Sequence, residues 1–378
     1  MKNNKKVGIV TFHWAKNFGA VLQAYSLKRT VEMLGFDAYI LDYVTKEDRI
    51  ANYNYFTFGS KSAYLSDILK IIFYKKFKTS YKKFSDFRKE FLGISNASTK
   101  ISTVNDITLK TINDTYAFIT GSDQVWHPRG FDDVYGLAFA SSKGIKTIAY
   151  APSLRMVGMT DSIKIKMQTD ISKIDFLSGR EPSVANFVTQ LTGRECKVVV
   201  DPVFLTSKKE WESIAILPKF DFQYVLVYTL TRNAKLERVA SDIAKKLGTA
   251  VVVLTGSNPK ARGFIRAKRV MFEAGPLDFI GLIANARFVC TNSFHGTAFA
   301  CILRRPFYAF QNGITDTRVS SLLEQLGMEQ RFVPAQNKII SNETCCHFEN
   351  IERKLPKLVT ESLEYLRFSL QSAEKKYK

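Results

Sequence analysis

The feature that most constrains the fold is an apolar run, a polar corner and an apolar, helix-length segment within residues 285–310. Arg287 to Thr291 holds the run Phe-Val-Cys, and Phe294 to Leu303 is apolar enough for a helix buried on most sides. Asn292 and Ser293 between them are residue types that favour helix N-caps. The pattern therefore predicts a strand, a turn and a helix whose free N–H groups suit a phosphate or carboxylate.

His295 lies in the first turn of this predicted helix, beside Gly296. Two interpretations stay open from these residues alone. Ser293 caps the helix and His295 is a hydrogen-bonded core histidine, or His295 acts on an anion bound at the helix start. A histidine titrates near neutral pH, at a pKa of about 6.5, so it could serve as an acid there.

The same order of strand, polar corner and helix recurs in both halves of the chain, which predicts an α/β fold with two doubly wound domains. With 378 residues and 46% hydrophobic composition, the chain is long enough for two cores. We assign residues 1–210 to the first domain, with a basic aromatic insertion at about 50–110, and 211–378 to the second. Thr206 to Asp221 is the predicted linker, and a long C-terminal helix is predicted to start at Pro356.

Three further corners follow predicted strands of the first domain, where sheets of this type bind ligands. Asn17 follows the first strand. Asp123 and Trp126 follow another, with Gln124 between them. Asp123 could be a base or a sugar-binding carboxylate and Trp126 a stacking platform, or Asp123 caps a helix and Trp126 is a core residue. Arg180 stands at the third corner and could grip an anion or pair with an acid such as Glu181.

The charge balance predicts an anionic partner without choosing among phosphorylated substrates, membrane surfaces and nucleic acid. Lys and Arg number 55 against 35 Asp and Glu, a net charge of +20. The 5 cysteines contain no CxxC pair, so neither a disulfide framework nor a zinc site is indicated, and a reducing cytoplasm fits best. No apolar run approaches the roughly 18 residues of a membrane span.

The segment from Lys70 to Leu92 combines many lysines with aromatic residues at helical spacing. This pattern fits a helix that lies on anionic lipid, or a surface helix that packs its aromatic face on the body of the protein. The aromatic positions are Phe77, Tyr81, Phe84, Phe87 and Phe91.

Taken together, several motifs resemble the polysaccharide pyruvyl transferase family over most of the chain. They are KNFGAVLQAYSLKRTVEMLG, FITGSDQVWHP, LSGREPS, VVVDPVFLTSKKEW, GPLDFIGLIANARFVCTNSFHGTAFACILRRPF and TRVSSLLEQLG. The resemblance implies two Rossmann-like domains facing across a cleft, as in GT-B glycosyltransferases. It also implies transfer of the pyruvyl group of phosphoenolpyruvate onto two hydroxyls of one sugar, which gives a cyclic ketal.

The resemblance places the family's histidine at His295 and the arginine of its Arg-Glu motif at Arg180. The resemblance implies the sequence Arg-Leu-His at the positions where this chain has Ser293-Phe294-His295, so a donor-binding arginine is missing here. Arg318, Arg232 or Arg305 could replace it. We expect no metal and no cofactor. The predicted site is catalytic His295 and Asp123, donor-binding Arg180, Asn292, Ser293, Gly296 and Arg318, and acceptor-binding Asn17, Gln124 and Trp126.

The predicted partners are phosphoenolpyruvate and a sugar acceptor, expected to be a lipid-linked oligosaccharide, with the donor on the second domain and the acceptor on the first. We expect a cytoplasmic protein, with docking at the inner membrane surface as an open alternative. Two other functions compete: a GT-B glycosyltransferase that uses a nucleotide sugar, and a basic protein that binds carbohydrate or nucleic acid. The chain has no RNA-recognition signature, so no nucleic-acid partner is expected.

Overall fold

In the computed structural model, the structure describes residues 5–45, 68, 71–94, 101–256, 265–313, 317–335 and 343–372. The first half of the chain builds a four-stranded parallel sheet in the order β2-β1-β3-β4. Its strands are β1 (Lys6–Val10), β2 (Asp37–Ile40), β3 (Ala117–Thr120) and β4 (Lys146–Ala149). Two short parallel strands, β5 (Ser178–Gly179) and β6 (Lys197–Val198), pair with each other beyond β4.

Helices connect these strands, and local signals set their ends. Asn17 caps the first helix by accepting hydrogen bonds from the N–H groups of Gly19 and Ala20. Pro182 is the first helical residue of another, where its missing N–H costs no hydrogen bond. The helices are α1 (Phe18–Met33), α2 (Tyr74–Leu92), α3 (Leu109–Asn113), α4 (Ala138–Ser141), α5 (Asp161–Ile171) and α6 (Pro182–Thr192).

The second half builds a six-stranded parallel sheet in the order β12-β11-β10-β7-β8-β9. Renumbered within this half, the order is that of a dinucleotide-binding Rossmann fold, in which the strand order reverses beside the first strand. The switch point lies between β7 and β10, where the predicted corner at Asn292 also lies. The strands are β7 (Tyr224–Thr229), β8 (Ala250–Thr255), β9 (Arg269–Met271), β10 (Phe288–Thr291), β11 (Phe307–Phe310) and β12 (Phe332–Val333).

The helices of the second half cover this sheet and the junction with the first. Ser293 is the N-cap of the helix predicted from Phe294 to Leu303, whose observed end lies one residue earlier. The helices are α7 (Lys208–Ile214), α8 (Ala234–Leu247), α9 (Pro276–Asn285), α10 (Phe294–Ile302), α11 (Arg318–Leu326) and α12 (Glu349–Gln371).

One hydrophobic cluster runs through the junction of the two halves. The ring of Phe18, at the start of α1, stacks on Phe279 of α9 with centroids 5.0 Å apart, and it meets the ring of Tyr228 at 5.8 Å. The predicted linker contains α7, whose Trp211 is fully buried and contacts the ring of Phe299. The halves are therefore joined by a shared apolar interface as well as by the chain.

The C-terminal helix departs from the prediction at its start. α12 begins at Glu349, so Pro356 lies inside the helix rather than in its first turn. Near its amino end, Asn350 donates a hydrogen bond to the carbonyl of Gly327, at the end of α11. Near its carboxyl end, the hydroxyl of Tyr365 donates to the carbonyl of Ala149 in β4, and Lys146 donates to the carbonyl of Leu370. The helix therefore belongs to both halves.

The basic aromatic helix α2 packs its aromatic face on the body of the protein. Phe77, Phe84 and Phe87 are buried, and Phe84 packs against Phe18 with ring centroids 5.3 Å apart. Ser80 on the same face donates to the carbonyl of Ala274 at 2.7 Å. The aromatic face is therefore not available to lipid, because these contacts already bury it. Within the described ranges, no helix is both long enough and apolar enough to cross a membrane.

Candidate active site

The carboxyl ends of strands from both sheets meet at a buried polar cluster. Ser122 follows β3, Arg180 follows β5, Asp201 follows β6 and His295 lies in the first turn of α10, after β10. The side chains of the last three are at least nine-tenths buried. Parallel α/β sheets bind their ligands in the crevice outside the carboxyl ends of their strands.

Asp201 is the centre of this cluster. Its Oδ2 accepts hydrogen bonds from Ser122 Oγ at 2.9 Å and from Arg180 Nη1 at 2.8 Å, and Oδ1 accepts one from the N–H of Val203 at 3.1 Å. The same Oδ2 lies 3.5 Å from His295 Nε2. Three side chains from separate parts of the chain, those of Ser122, Arg180 and His295, therefore converge on one carboxylate.

The charges around Asp201 keep it ionised. Burial alone would raise the pKa of its carboxyl group, but the adjacent His295 and Arg180 outweigh burial and hold that pKa well below its usual range. Burial likewise opposes the charge of Arg180, yet Glu181 and Asp201 outweigh it and raise the pKa of the guanidinium group. The cluster therefore carries fixed charges of both signs in a water-poor site.

Arg180 pairs with two acids and keeps one donor atom. Its Nε donates to Glu181 Oε1 at 2.9 Å, and its guanidinium group lies 4.0 Å from the ring centroid of Phe294. Ser153 Oγ donates to the same Glu181 oxygen at 3.0 Å. Arg180 Nη2 and Glu181 Oε2 are buried without a hydrogen-bond partner in the described structure. Of the two roles left open by the sequence, pairing with Glu181 is present, and Nη2 is the atom that could still contact an anion.

His295 is held against the start of α1. A Cβ added to Gly19 would lie 2.0 Å from His295 Nδ1, so the two helix starts touch at a point where only glycine fits. The residue is 6% exposed, and its Nε2 has no hydrogen-bond partner among the described residues. A buried polar atom without a partner calls for an explanation, and a catalytic role is one of those explanations.

The corner before α10 is held by its own side chains. Ser293 Oγ accepts from the N–H of Gly296 at 3.3 Å, and a Cβ on Gly296 would lie 2.4 Å from Thr291 Oγ1. Asn292 Oδ1 accepts from the N–H of Leu230, and its Nδ2 donates to the carbonyl of Thr231. Both polar atoms of the Asn292 side chain therefore already hold the loop after β7. Neither is free for the predicted contact with the donor.

Asp123 lies at the edge of the cluster in a left-handed backbone conformation, with φ of 70°. Its Oδ1 accepts from the N–H of Gln124 at 2.9 Å, and its carbonyl accepts from the N–H of Ser153. Its charge acts on Arg180 and on Tyr228, so it lies near both. Non-glycine residues in this conformation are uncommon and concentrate at functional sites.

Trp126 is a core residue rather than a stacking platform. Its side chain is fully buried, and its indole N–H donates to the carbonyl of Tyr135 at 3.3 Å. The predicted sugar contact is therefore wrong for this conformation, because the turn after β3 directs the indole into the second core cluster. Gln124 is partly exposed beside it, and Asn17 uses its side-chain oxygen to cap α1.

A pocket adjoins the cluster, and its lining includes both Arg180 and Arg318. Leu322 and Leu358 close its apolar side. The positive charge of Arg318 also reaches His127, whose pKa is lowered by burial and by Arg155, Arg129 and Arg318. Basic side chains of both halves thus surround this part of the cleft.

The two other arginines proposed to replace the missing one lie elsewhere. Arg305 precedes β11 and acts on Tyr224, at the amino ends of the strands. The Nε atom of Arg232 lies 3.6 Å from Glu237 Oε1, on the side of α8. Among the three candidates, Arg318 is therefore the one that lines the pocket with Arg180.

Sequence reasoning missed the residues that support the cluster. Ser122, Ser153 and Asp201 each follow a strand of the first half, and that position was the available signal. No spacing rule could join Asp201 to Arg180 and Ser122, because they are 21 and 79 residues apart.

A family model described as polysaccharide pyruvyl transferase matches residues 17–313. A comparison with curated proteins gave no match. Among solved structures, the chain is similar to the UDP-GlcNAc 2-epimerase from Methanocaldococcus jannaschii, at 12% identity and a TM-score of 0.51, over 98% of this chain and 94% of that one. It is similar to the UDP-GlcNAc 2-epimerase from Neisseria meningitidis bound to UDP-GlcNAc, at 12% identity and a TM-score of 0.50, over 98% and 95% of the two chains. These similarities show the fold, which is α/β with two Rossmann-like domains in a GT-B-like arrangement.

Proposed function

Because this chain belongs to the polysaccharide pyruvyl transferase family, we propose that it transfers the pyruvyl group of phosphoenolpyruvate onto two hydroxyls of one sugar. The product is a cyclic ketal, and inorganic phosphate is released. The acceptor that we propose is a lipid-linked oligosaccharide of a surface polysaccharide. The observation that carries the proposal is the buried cluster of His295, Asp201 and Arg180, in which Nη2 of the arginine has no hydrogen-bond partner among the described residues.

The reaction needs an acid that protonates C3 of phosphoenolpyruvate and a sugar hydroxyl that attacks C2. A proton added to C3 of phosphoenolpyruvate makes C2 electrophilic, and the first sugar hydroxyl forms a bond to C2 as it loses its proton. The bond from C2 to the phosphate oxygen then breaks, and the second hydroxyl closes the ketal while its proton leaves with phosphate. The net change conserves every atom and needs no oxidant, so we propose no cofactor.

We assign the proton donor to His295. It lies at the junction of the two halves, where a substrate from each side could meet, and its Nε2 is 3.5 Å from the buried carboxylate of Asp201. General acid catalysis by a positioned side chain typically contributes about 10²–10⁴-fold. We assign Asp123, at the edge of the same cluster, as the base that accepts the proton of the attacking hydroxyl.

The donor carries a phosphate and a carboxylate, so it needs several fixed positive or N–H groups. Arg180 and Arg318 line one pocket, and His295 lies among the first N–H groups of α10. We therefore propose that Arg318 takes the place of the arginine that other family members carry before the histidine.

We also propose that the protein works in the cytoplasm, at the inner membrane surface where a lipid-linked acceptor would lie. The aromatic face of α2 is buried, so the contact with lipid must use its outward face. At the amino end of this helix, Ile71, Ile72 and Tyr74 are exposed beside Lys75 and Lys78. Apolar side chains flanked by lysines suit the interface of an anionic bilayer.

One incubation tests the proposed reaction. The protein is mixed with labelled phosphoenolpyruvate and lipid-linked oligosaccharides, and phosphate and acid-labile pyruvate on sugar are followed together, with His295→Gln as control. Equal amounts of both products, absent with the variant, are the expected result. Release of UDP from UDP-sugars without pyruvate transfer would instead identify a nucleotide-sugar glycosyltransferase, and no turnover with any donor would contradict an enzymatic role.

A further inference from the structure

The loops after β3 and β4 carry basic side chains at the carboxyl ends of their strands. We propose that three of these residues, His127, Arg129 and Arg155, form a basic site that holds the diphosphate joining the acceptor sugar to its lipid. The inference rests on the proposed function for the identity of the acceptor. Its first test measures binding alone and needs no turnover.

Backbone hydrogen bonds place these two loops beside the buried cluster. The N–H of Ser153 donates to the carbonyl of Asp123 at 2.8 Å. The N–H of Arg180 donates to the carbonyl of Pro152 at 3.2 Å. Two residues of extended chain span at most about 7 Å, so the backbone of Arg155 lies within that distance of Ser153. A ligand held by Arg155 would therefore lie next to the proposed site of chemistry.

The three side chains of the basic site meet across the two loops. The N–H of Arg129 donates to Nδ1 of His127 at 3.2 Å, so the proton of the neutral ring is on Nε2. The side chain of Arg129 passes over the turn that follows Arg155, because a Cβ on Gly158 would lie 3.4 Å from its Nε. The charge of Arg155 also reaches His127. Two guanidinium groups and one ring N–H are thus gathered in one place.

Arg318, the first residue of α11, adds a positive charge from the second half. Its charge reaches His127, as do those of Arg129 and Arg155, and together with burial they lower the pKa of the His127 ring. Like charges gathered in this way repel one another, and an anion bound among them removes the repulsion. Because Arg318 also lines the pocket with Arg180, the basic site adjoins the proposed donor pocket.

The charge and the rim of the basic site indicate one class of ligand. A diphosphate between a sugar and a lipid carries one negative charge on each phosphate group, which matches the guanidinium groups of Arg129 and Arg155. Met156 and Val157 directly follow Arg155 and are 56% and 42% exposed. The arginines can therefore bind the phosphate oxygens while an apolar chain covers the two exposed side chains. A nucleotide sugar offers the same diphosphate without such a chain.

The first test follows the four histidines by NMR of protein carrying labelled histidine, with His127→Gln used to assign the signal. The ligand is N-acetylglucosamine joined by a diphosphate to a geranyl chain. Its binding should shift the His127 signal and raise the titration midpoint of that ring, because a bound anion favours the charged form. Arg129→Gln and Arg155→Gln should each weaken binding by about tenfold. The matched control Arg238→Gln removes an exposed arginine of α8 and should leave binding unchanged.

Competing ligands identify what the basic site holds. Equally tight binding of UDP-N-acetylglucosamine would contradict the lipid-linked occupant, and displacement of the geranyl ligand by phosphoenolpyruvate would assign these residues to the donor. Met156→Ser with Val157→Ser should weaken binding of the geranyl ligand only. Arg129 is exposed, so Arg129→Gln keeps the proposal testable where Arg155→Gln does not fold. Unchanged affinity in a folded arginine variant would overturn the proposal.

Turnover separates this inference from the proposed function. With a diphosphate-linked acceptor, Arg129→Gln and Arg155→Gln should raise the Michaelis constant for the acceptor by about tenfold and leave that for phosphoenolpyruvate unchanged. With the same sugar lacking its diphosphate, the variants and the wild type should behave alike. A wild type that transfers pyruvyl groups without preferring the diphosphate-linked acceptor would overturn the inference alone. A protein that binds the geranyl ligand at the basic site but never consumes phosphoenolpyruvate would sink the proposed function and leave the site intact.

Discussion

Gly19 offers the sharpest test of the active-site geometry, because it touches the imidazole of His295 but has no side chain that could take part in the chemistry itself. A Cβ at this position would lie 2.0 Å from His295 Nδ1, 2.1 Å from Cγ and 2.7 Å from Cβ of that residue. Ordinary contact begins near 3.4 Å, so Gly19→Ala must push the imidazole away by about 1.4 Å, the difference between 3.4 and 2.0. The start of α1 cannot yield instead without losing the cap from Asn17.

Two effects on stability oppose each other in this variant. Overpacking of a tight contact typically costs about 1–3 kcal/mol, whereas alanine in place of glycine in a helix gains about 0.5–1 kcal/mol. We therefore expect a net loss of roughly 0–2.5 kcal/mol in the free energy of unfolding, measured by urea denaturation. A displacement of about 1 Å in a reacting group can cost about 10²-fold in rate, so turnover should fall far more than stability.

The assay is phosphate release from phosphoenolpyruvate in the presence of acceptor, together with the NMR signal of His295. Gly130→Ala is the matched control, since a Cβ there meets nothing within 4 Å and the residue lies in the loop after β3. Gly19→Ala should lower kcat by about two orders of magnitude and change the environment of the imidazole. A variant that folds, keeps more than a third of wild-type turnover and leaves the His295 signal in place would refute the reasoning.

Three other predictions follow from the same cluster and from α2. His295→Gln should lower kcat by about 10²–10⁴-fold and leave donor binding nearly intact; retention of more than about a third of turnover, where chemistry limits the rate, would make His295 a structural residue. Arg180→Ala should raise the Michaelis constant for phosphoenolpyruvate more than that for the acceptor, and it should also destabilise the fold by about 3–5 kcal/mol, because two buried carboxylates lose their cation; an unchanged urea midpoint would contradict the ion-pair geometry. The protein should float with anionic vesicles at low ionic strength and be released by salt, and Lys75→Glu with Lys78→Glu should abolish flotation; equal binding of this variant would place the contact elsewhere.

The corner at residues 288–302 was predicted to within a residue at each end, because its signals are local. Apolar runs set the strand and the helix, and Ser293 fixes the helix start between them. The edge strands β9 and β12 were missed, since they have three and two residues and carry no period that a sequence can show. α12 was started too late because a proline suggests a first turn, yet seven residues precede Pro356 in the helix.

The site was predicted less completely than the fold because its contacts are long-range. His295, Arg180 and Asp123 could be proposed from motifs and from their places after strands, and they do lie together. The helical spacing of the aromatic residues in α2 fits both burial and contact with a ligand, and so does the position of Trp126 at a corner after a strand. Only the packing partners, such as Phe18 and Tyr135, decide between these two outcomes.

The helix α12 constrains how the cleft can open. Its amino end is held to Gly327 by Asn350, and its carboxyl end is held to Ala149 by Tyr365. A rotation of one half relative to the other therefore strains this one helix, because it is fixed at both ends. Pro356 lies between the anchors, and a proline has no N–H to complete the helix there and crowds the carbonyl four residues earlier. The helix α12 therefore bends most readily at Pro356. We therefore expect any opening of the cleft to be a hinge motion about Pro356, between the two ends at which the helix is held.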